Sequence, residues 1–358
     1  MRKIIISICM MLIIGGGLII LIKYRYADSY KTCFARERVD TQKLNFCQKN
    51  EILELKDRYF IDINNNKYLY YYIPISKNVY DYEKSDMLGI DNNIVYVNYK
   101  EPIGIQYNPL TIAQYALTNF NKYIDTNDTI YKDNFLNQVN YLVNNYDNID
   151  NSNIGWPYMF EWKYYDLDAG WYSGLAQGQI TSVLVMAYLI TNNKEYLPII
   201  SKAINFMLKE INENEKGLLR YTPEGYVWIE EYPSKKPSLV LNGFVSSIVG
   251  LYDYLMLFPN DEVRKKIYNQ LIVSLKHSIN FYDTGDWLLY DRYRINRINN
   301  NYMEFQTNQM LQMYINTNDD FFFDLYKKYA NYSINNYEYS IYKAIESIYI
   351  KLFYWFKN

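Results

Sequence analysis

The chain has 358 residues, 49% of them hydrophobic and 21% charged, which excludes a minimal binding module and a disordered polymer. A net charge of −2 gives no overall basic field, so we do not expect nucleic acid as a partner. The chain has 43 tyrosines but a single histidine, His277. One imidazole excludes serine triads, histidine-rich zinc sites and histidine acid–base pairs. The tyrosine excess by itself is typical of a chain encoded by an AT-rich genome.

An uncharged apolar run of 19 residues, 4–22, lies close to the start of the chain and has basic residues on both sides. A helix of this length matches the hydrocarbon thickness of a bilayer, so residues 1–25 are predicted to be a single-pass transmembrane anchor in a membrane-localised protein. A cleaved signal peptide is the alternative, but no small-x-small site follows the run. Basic residues are more numerous after the run, and the side of the membrane that carries the rest of the chain stays open.

Two further segments are expected before the main domain. Residues 26–57 are predicted to be a stem; they contain Cys33 and Cys47, which either form one disulfide in an exported domain or remain free thiols. Over 58–107, runs of Tyr, Ile and Val alternate with turn clusters rich in Asn and Asp. This texture predicts a small β-rich region.

Helical character begins at Asn108-Pro109, where an N-cap residue is followed by proline at the first helical position. Residues 108–358 are predicted to be a mainly α domain. The predicted helices cover 109–122, 131–146, 172–192, 194–212, 238–257, 260–281, 304–316, 319–335 and 338–356. In the sixth of these, one buried face is predicted at Val263, Ile267, Leu271, Leu275 and Ile279.

The predicted helices come in pairs, separated by longer loops rich in Trp, Tyr, Asp and Glu at 147–171, 213–237 and 282–303. Repeated helical hairpins with their loops gathered at one end predict an α/α barrel, or toroid, whose loop end forms a cleft. A plain superhelical array is the alternative, but no fixed-period repeat supports it.

The loops combine aromatic, acidic and amide side chains. Around Trp171 and Tyr172, aromatic residues are crowded beside Asp, Glu and Asn, a composition that favours a carbohydrate groove, although core packing accounts for about half of these aromatics equally well. Carboxylates and phenols also occur together at 230–232 and at 290–291. Each of these short motifs alone is weak, because adjacent acids in a loop are usually a solvated edge.

The order and spacing of several such motifs resemble the C-terminal domain of the D-glucuronyl C5-epimerases, which convert glucuronic to iduronic acid in heparan-type chains. The resemblance runs from about residue 155 to about residue 330, and residues 112–117 match the first helix of the family. The matching segments are GWYSGLAQGQ (170–179), EEYP (230–233), VLNGF (240–244), GLYD (250–253), YDTG (282–285) and YD (290–291).

This resemblance implies a catalytic α/α barrel that acts on a uronic-acid polysaccharide. Glu231 and Tyr232 stand at the catalytic Glu-Tyr pair of the family, Tyr290 at the tyrosine of its Tyr-Asp motif and Tyr302 at its third tyrosine. The residues implied or expected to bind substrate are Asn242, Arg292, Arg294, Trp171, Tyr172, Gln177 and Gln179. A homodimer is a further expectation that rests on the family alone.

The chain departs from the family pattern at three points. Tyr293 stands where the family has a substrate-binding arginine, and Arg292 or Arg294 on either side could take that role. Met303 and Gln306 replace two histidines of the animal enzymes. The β-rich domain that those enzymes carry after the first helix is missing from the sequence.

Inversion at C5 requires a base on one face of the sugar and an acid on the other, with stabilisation of the neighbouring carboxylate. We expect Glu231 and Tyr302 to face opposite sides of the ring, Tyr232 and Tyr290 to hold or relay, and a nearby arginine to lower a phenol pKa. The scheme predicts an isomerase that needs no metal or organic cofactor. A polysaccharide lyase that shares the first proton abstraction, and a membrane-anchored glycan-binding protein without turnover, are the alternatives.

Overall fold

The computed structural model describes residues 82, 85–212 and 216–332, together with the backbone of residues 60–63 and 66–69. The predicted anchor at 1–25, the stem at 26–57 and the predicted helix at 338–356 lie outside the described residues.

The predicted β-rich region contains short antiparallel strands. Strands β1 (Phe60–Ile63) and β2 (Asn66–Leu69) form a hairpin, and β3 (Leu88–Asp91), β4 (Ile94–Asn98) and β5 (Ile105–Gln106) form a three-stranded sheet in that order. The β3–β4 turn places Asn92 and Asn93 at positive φ, as a tight hairpin turn requires. The sheet is tied to the helices by Gln138, whose side-chain amide donates to the carbonyl of Asn93 and accepts from the backbone N–H of Val95.

The remainder of the described chain is mainly helical, as predicted. Its first long helix starts at Pro109, and the Asn108 side chain accepts a hydrogen bond from the N–H of Thr111 at 3.0 Å, which confirms the predicted cap. Residues 320–332 are also helical. In chain order the helices before that segment are α1 (Pro109–Thr126), α2 (Thr129–Asn144), α3 (Gly174–Thr191), α4 (Tyr196–Met207), α5 (Leu241–Leu257), α6 (Glu262–Tyr282) and α7 (Asn300–Thr317).

The predicted buried face of α6 is right in its second half and wrong at its start. Leu271, Leu275 and Ile279 are buried in the core, whereas Val263, in the first turn, is 73% exposed. His277 is exposed and stacks on Tyr226 with ring centroids 4.6 Å apart.

Helices α1, α3, α5 and α7 contact one another in sequence, while α2 packs on α1, α4 on α3 and α6 on α5. The closest approach is between α3 and α5, where a methyl group added at Gly250 would lie 2.3 Å from the carbonyl oxygen of Gly178. Within the described residues, α3 alone is long and apolar enough to span a bilayer, but 83% of it is buried inside the protein. Its apolar composition is therefore that of a core helix.

Two short hairpins lie in the loops. Strands β6 (Asp147–Asn148) and β7 (Ile154–Gly155) follow α2, and β8 (Leu219–Tyr221) pairs with β9 (Val227–Ile229) before α5. Because β9 ends at Ile229, the chain leaves the hairpin directly into the acidic residues at 230–231. The hairpin thus fixes where those carboxylates lie relative to the first turn of α5.

Candidate active site

Glu231 is closely packed between the end of β9 and the first turn of α5. Its side chain is 3% exposed. A methyl group added at Gly243 would come within 2.4 Å of the Glu231 Oε2 atom, so only glycine at 243 leaves room for this carboxylate. Oε2 has no hydrogen-bond partner among the described residues. Glu231 is therefore buried with a carboxylate that is only partly hydrogen-bonded within the described part of the chain.

Three tyrosines surround this carboxylate. The Tyr290 hydroxyl donates to Glu231 Oε1 at 3.3 Å, and the hydroxyls of Tyr232 and Tyr290 lie 3.4 Å apart. The Tyr302 ring meets the Tyr290 ring edge to face, with centroids 5.5 Å apart. All three rings are half-buried. The fold thus brings together the four residues that the sequence predicted as catalytic, although they come from separate parts of the chain.

Burial controls the protonation of this cluster. Burial raises the pKa of Glu231 to about 7, against hydrogen bonding from Tyr232 and Tyr290, and the nearby charges of Glu230 and Asp291 add to the rise. Burial, followed by the charge of Glu231, raises the pKa of Tyr302 to about 12 and lifts those of Tyr232 and Tyr290 well above the usual value. Near neutral pH the phenols are protonated and Glu231 is close to its midpoint, so the carboxylate can take a proton while a phenol gives one.

The neighbouring carboxylate, Glu230, has a different setting. It forms an ion pair with Arg220 at 3.0 Å and accepts hydrogen bonds from the backbone N–H groups of Ser238 and Leu239 and from the Ser238 hydroxyl. Burial raises its pKa, while Arg220 and the other donors oppose that rise. Glu230 therefore fixes the loop between β9 and α5, and none of its described hydrogen bonds or ion pairs is to Tyr232, Tyr290 or Tyr302.

Two aromatic side chains hold Tyr232 in place. Tyr165 stacks on it with centroids 4.1 Å apart and planes at 11°, and Trp171 lies against it at 5.6 Å. The indole N–H of Trp171 donates to the carbonyl of Phe160, and its ring stacks on Tyr158. Trp171, predicted to bind substrate, is thus mostly buried in packing contacts beside the cluster.

Several buried side-chain amides lie on helices α3, α5 and α7, next to the residues of the cluster. Gln309 on α7 donates to the carbonyl of Asn242 at 2.8 Å and to the Ser246 hydroxyl at 2.9 Å, both on α5. Gln306 follows Tyr302 by one helical turn, and therefore shares its face of α7. Both side-chain amide atoms of Gln177, Asn242 and Gln306 lack a partner among the described residues.

Such amide atoms are suited to the hydroxyl groups of a sugar, because a buried polar group without a partner is destabilising by about 1–3 kcal/mol. Gln179, also predicted to bind substrate, accepts a hydrogen bond from Gln114 and retains a free side-chain N–H group among the described residues. From the sequence, Gln306 is only the replacement of a histidine; its position one helical turn after Tyr302 is the signal that could have placed it in the site.

The other predicted substrate-binding residues contact different parts of the protein. Arg292 pairs with Glu224 through two hydrogen bonds of 2.6 and 3.0 Å, and Arg294 lies over the Tyr164 ring at 3.9 Å. Within the described contacts, neither arginine touches the three clustered tyrosines. Tyr172 packs on Phe206 and donates to Asp147, away from the cluster.

The described residues contain no group of three or more His, Cys, Asp or Glu side chains arranged to hold a metal ion. The arrangement presents one incompletely hydrogen-bonded carboxylate, three protonated phenols and several neutral amides.

Comparison with known proteins gives a family match over the segment that contains this cluster. Residues 150–331 match the family described as D-glucuronyl C5-epimerase C-terminus. An uncharacterized protein of Methanocaldococcus jannaschii is 31% identical over 243 residues, which is 63% of this chain and 78% of that protein. The D-glucuronyl C5-epimerase of Caenorhabditis elegans is 39% identical over 136 residues, which is 35% of this chain and 22% of the enzyme.

Two solved structures are also similar. The α-1,6-mannanase GH76A of Salegentibacter sp. HEL1_6 covers 61% of this chain and 60% of its own, with 13% identity and a TM-score of 0.41. A glycoside hydrolase family 76 mannosidase of Bacteroides thetaiotaomicron covers 70% and 77%, with 12% identity and a TM-score of 0.42. At such TM-scores these likenesses support no inference about fold or substrate.

Proposed function

The chain belongs to the D-glucuronyl C5-epimerase family, and from that premise we propose that it inverts C5 of D-glucuronic acid residues to L-iduronic acid within a heparosan-like or heparan-like polysaccharide. The family match confirms the resemblance seen in the sequence and supports an epimerase. The observation that carries the specific reaction is the buried Glu231 carboxylate, which has a pKa of about 7 and is hydrogen-bonded by a phenol.

The proposed reaction is a two-sided proton transfer. The Glu231 carboxylate takes the C5 proton, and the electron pair of the broken C–H bond passes into the adjacent substrate carboxylate as an enediolate. A protonated phenol then delivers a proton to the opposite face of C5, which reforms the C–H bond with inverted configuration. We assign this delivery to Tyr302, which then regains a proton from solvent, while Tyr232 and Tyr290 hold Glu231 and pass its proton to solvent.

The charge that develops on the substrate carboxylate needs donors, because a carbon next to a carboxylate is a very weak acid. Asn242 in the first turn of α5 and Gln306 on the face of Tyr302 have side-chain N–H groups without a partner among the described residues. We propose that they receive the sugar, together with Gln177 and Gln179. Arg292 and Arg294 would have to leave Glu224 and Tyr164 to reach it.

We further propose that the helices close into the α/α barrel expected from the sequence. The contacts of α1 with α3, α3 with α5 and α5 with α7 support an inner ring, and the packing of α2 on α1, α4 on α3 and α6 on α5 supports an outer ring. The membrane anchor at 1–25 and a homodimer also belong to this proposal. The polysaccharide would then be modified by a membrane-bound enzyme.

Hydrogen exchange on a polysaccharide tests the function. The protein is incubated with heparosan in deuterated water, and NMR then measures deuterium at C5, the content of iduronic acid and the chain length. The proposal predicts deuterium and iduronic acid without chain scission. An unsaturated, ultraviolet-absorbing product would instead establish a lyase, and binding of heparosan without any exchange would establish a glycan-binding protein.

A further inference from the structure

We propose that Tyr165 and Asp291 are a pair of positioning residues that holds the Tyr232 phenol against Tyr290 and Glu231. This inference rests on the proposed function, because it assigns the pair a part in the proton transfer. Neither residue contacts Glu231 through a described hydrogen bond. Their positioning action would therefore pass through the Tyr232 ring and through the backbone of Tyr290, which Asp291 follows.

The geometry consists of one hydrogen bond and one ring stack. The Tyr165 hydroxyl donates to Asp291 Oδ2 at 2.5 Å, and both residues are buried. The Tyr165 ring is nearly parallel to the Tyr232 ring, at 11° and 4.1 Å between centroids. Asp291 directly follows Tyr290, so its hydrogen bond with Tyr165 also fixes the backbone of Tyr290. The Tyr290 hydroxyl lies 3.4 Å from the Tyr232 hydroxyl.

Both partners also form hydrogen bonds with the backbone of their own loops. Tyr165 ends a single 3-10 turn, Lys163–Tyr165, and its N–H donates to the carbonyl of Trp162 at 3.0 Å. The second oxygen of Asp291, Oδ1, accepts the N–H of Arg294 at 2.9 Å. Three loop segments that are distant in sequence, 163–165, 230–232 and 290–294, are thus joined at Tyr232.

Tyr165 is unsuited to carry protons itself. Burial, its hydrogen bond to Asp291 and the charge of Asp291 raise the pKa of Tyr165 far above the usual range. Its hydroxyl therefore stays protonated near neutral pH and donates to Asp291. This leaves a constraint on Tyr232 as the contribution that the pair can make.

The test compares Tyr165→Leu with Tyr165→Phe, which removes the hydrogen bond to Asp291, in the full chain. A misplacement of about 1 Å in a reacting group lowers turnover by about 100-fold. We expect Tyr165→Leu to lower kcat for deuterium exchange by about that factor and Tyr165→Phe, which keeps the stack, by about 10-fold, with KM unchanged. Tyr254→Phe is the matched control, since it removes another tyrosine–aspartate hydrogen bond, of 2.8 Å to Asp261, near the other end of α5.

A readout independent of turnover separates this inference from the proposed function. With 3-fluorotyrosine at position 232, the fluorine NMR spectrum should show a fixed ring in the parent protein and Tyr254→Phe, and an averaged ring in Tyr165→Leu. A fixed ring in Tyr165→Leu, or a raised KM with kcat retained, would overturn the positioning role. If Tyr165→Leu loses ring order but the parent protein never exchanges C5 hydrogen, the positioning role of the pair stands and only the proposed epimerase is refuted.

Discussion

The two carboxylates at the end of β9 are adjacent in sequence and equally buried, yet they lie in opposite surroundings. The region around Glu230 supplies a guanidinium, two backbone N–H groups and a hydroxyl. The region around Glu231 supplies tyrosine hydroxyls and leaves one oxygen without a partner among the described residues. The difference shows that burial alone does not set the state of a carboxylate: the donors around it decide whether it is fully hydrogen-bonded, as Glu230 is, or keeps one oxygen without a described partner, as Glu231 does.

The largest expected effect comes from Glu231→Gln. The amide cannot accept the C5 proton, so deuterium exchange on heparosan should fall by about 10³-fold or more, within the range that general acid–base catalysis contributes. Circular dichroism and glycan affinity should stay close to those of the parent protein, because glutamine has nearly the same shape. Retained exchange in this variant would remove Glu231 from the mechanism and with it the contrast between the two carboxylates.

Glu230→Gln should show the opposite behaviour. The substitution leaves the Arg220 guanidinium, which is 12% exposed, without its counter-charge. Removing one partner of a buried ion pair is destabilising by about 3–5 kcal/mol, and we expect about 3 kcal/mol here because glutamine can still accept from Ser238 and Leu239. Urea titration measures this loss in the free energy of unfolding. Exchange per folded molecule should be largely retained; a loss as deep as that of Glu231→Gln would show that Glu230 also takes part in the chemistry.

The raised pKa of Glu231 gives a third way to separate the two positions. Its pKa is about 7 in the folded protein against an ordinary value of 4.5, so the folded state binds the proton more tightly than the unfolded state. Stability from this group is complete below about pH 4.5 and is lost as the pH rises towards 7, by about 3 kcal/mol in all. Glu231→Gln should therefore match the parent protein near pH 4.5 and exceed its stability by about 3 kcal/mol above pH 7. Equal stability of the two proteins at all pH values would contradict the raised pKa.

Local signals in the sequence predicted the helices well, because caps and periodicity act over a few residues. Asn108 and Pro109 mark the start of α1 as predicted. The spacing predicts Val263 in a buried face, but Val263 is 73% exposed. Its exposure depends on how far the neighbouring helices extend, and the spacing within one helix carries no information about that. The bounds of long helices are therefore easier to predict than the environment of their first turns.

The site was only partly predictable for the same reason. The resemblance pointed to Glu231 and the tyrosines, but not to the division between Glu230 and Glu231, because Arg220 and Ser238 approach from other segments. Tyr172 is an aromatic residue of the kind that binds sugars, but its ring packs on Phe206 and does not face the cluster.

The smallest effect is expected from a substitution that shifts the position of the Glu231 carboxylate and leaves both glutamates unchanged. In Gly243→Ala the added methyl group would lie 2.4 Å from Glu231 Oε2, so the carboxylate must shift away from its position beside Tyr290. We expect kcat for exchange to fall by about 10-fold to 100-fold, as small misplacements of reacting groups do. Alanine is a better helix former than glycine by about 1 kcal/mol, so the first turn of α5 should not be weakened and the unfolding midpoint should change little. A fall in activity without a fall in stability would show that the position of Glu231, as well as its charge, distinguishes it from Glu230; unchanged kcat in a variant with the same stability would show that the carboxylate tolerates the shift.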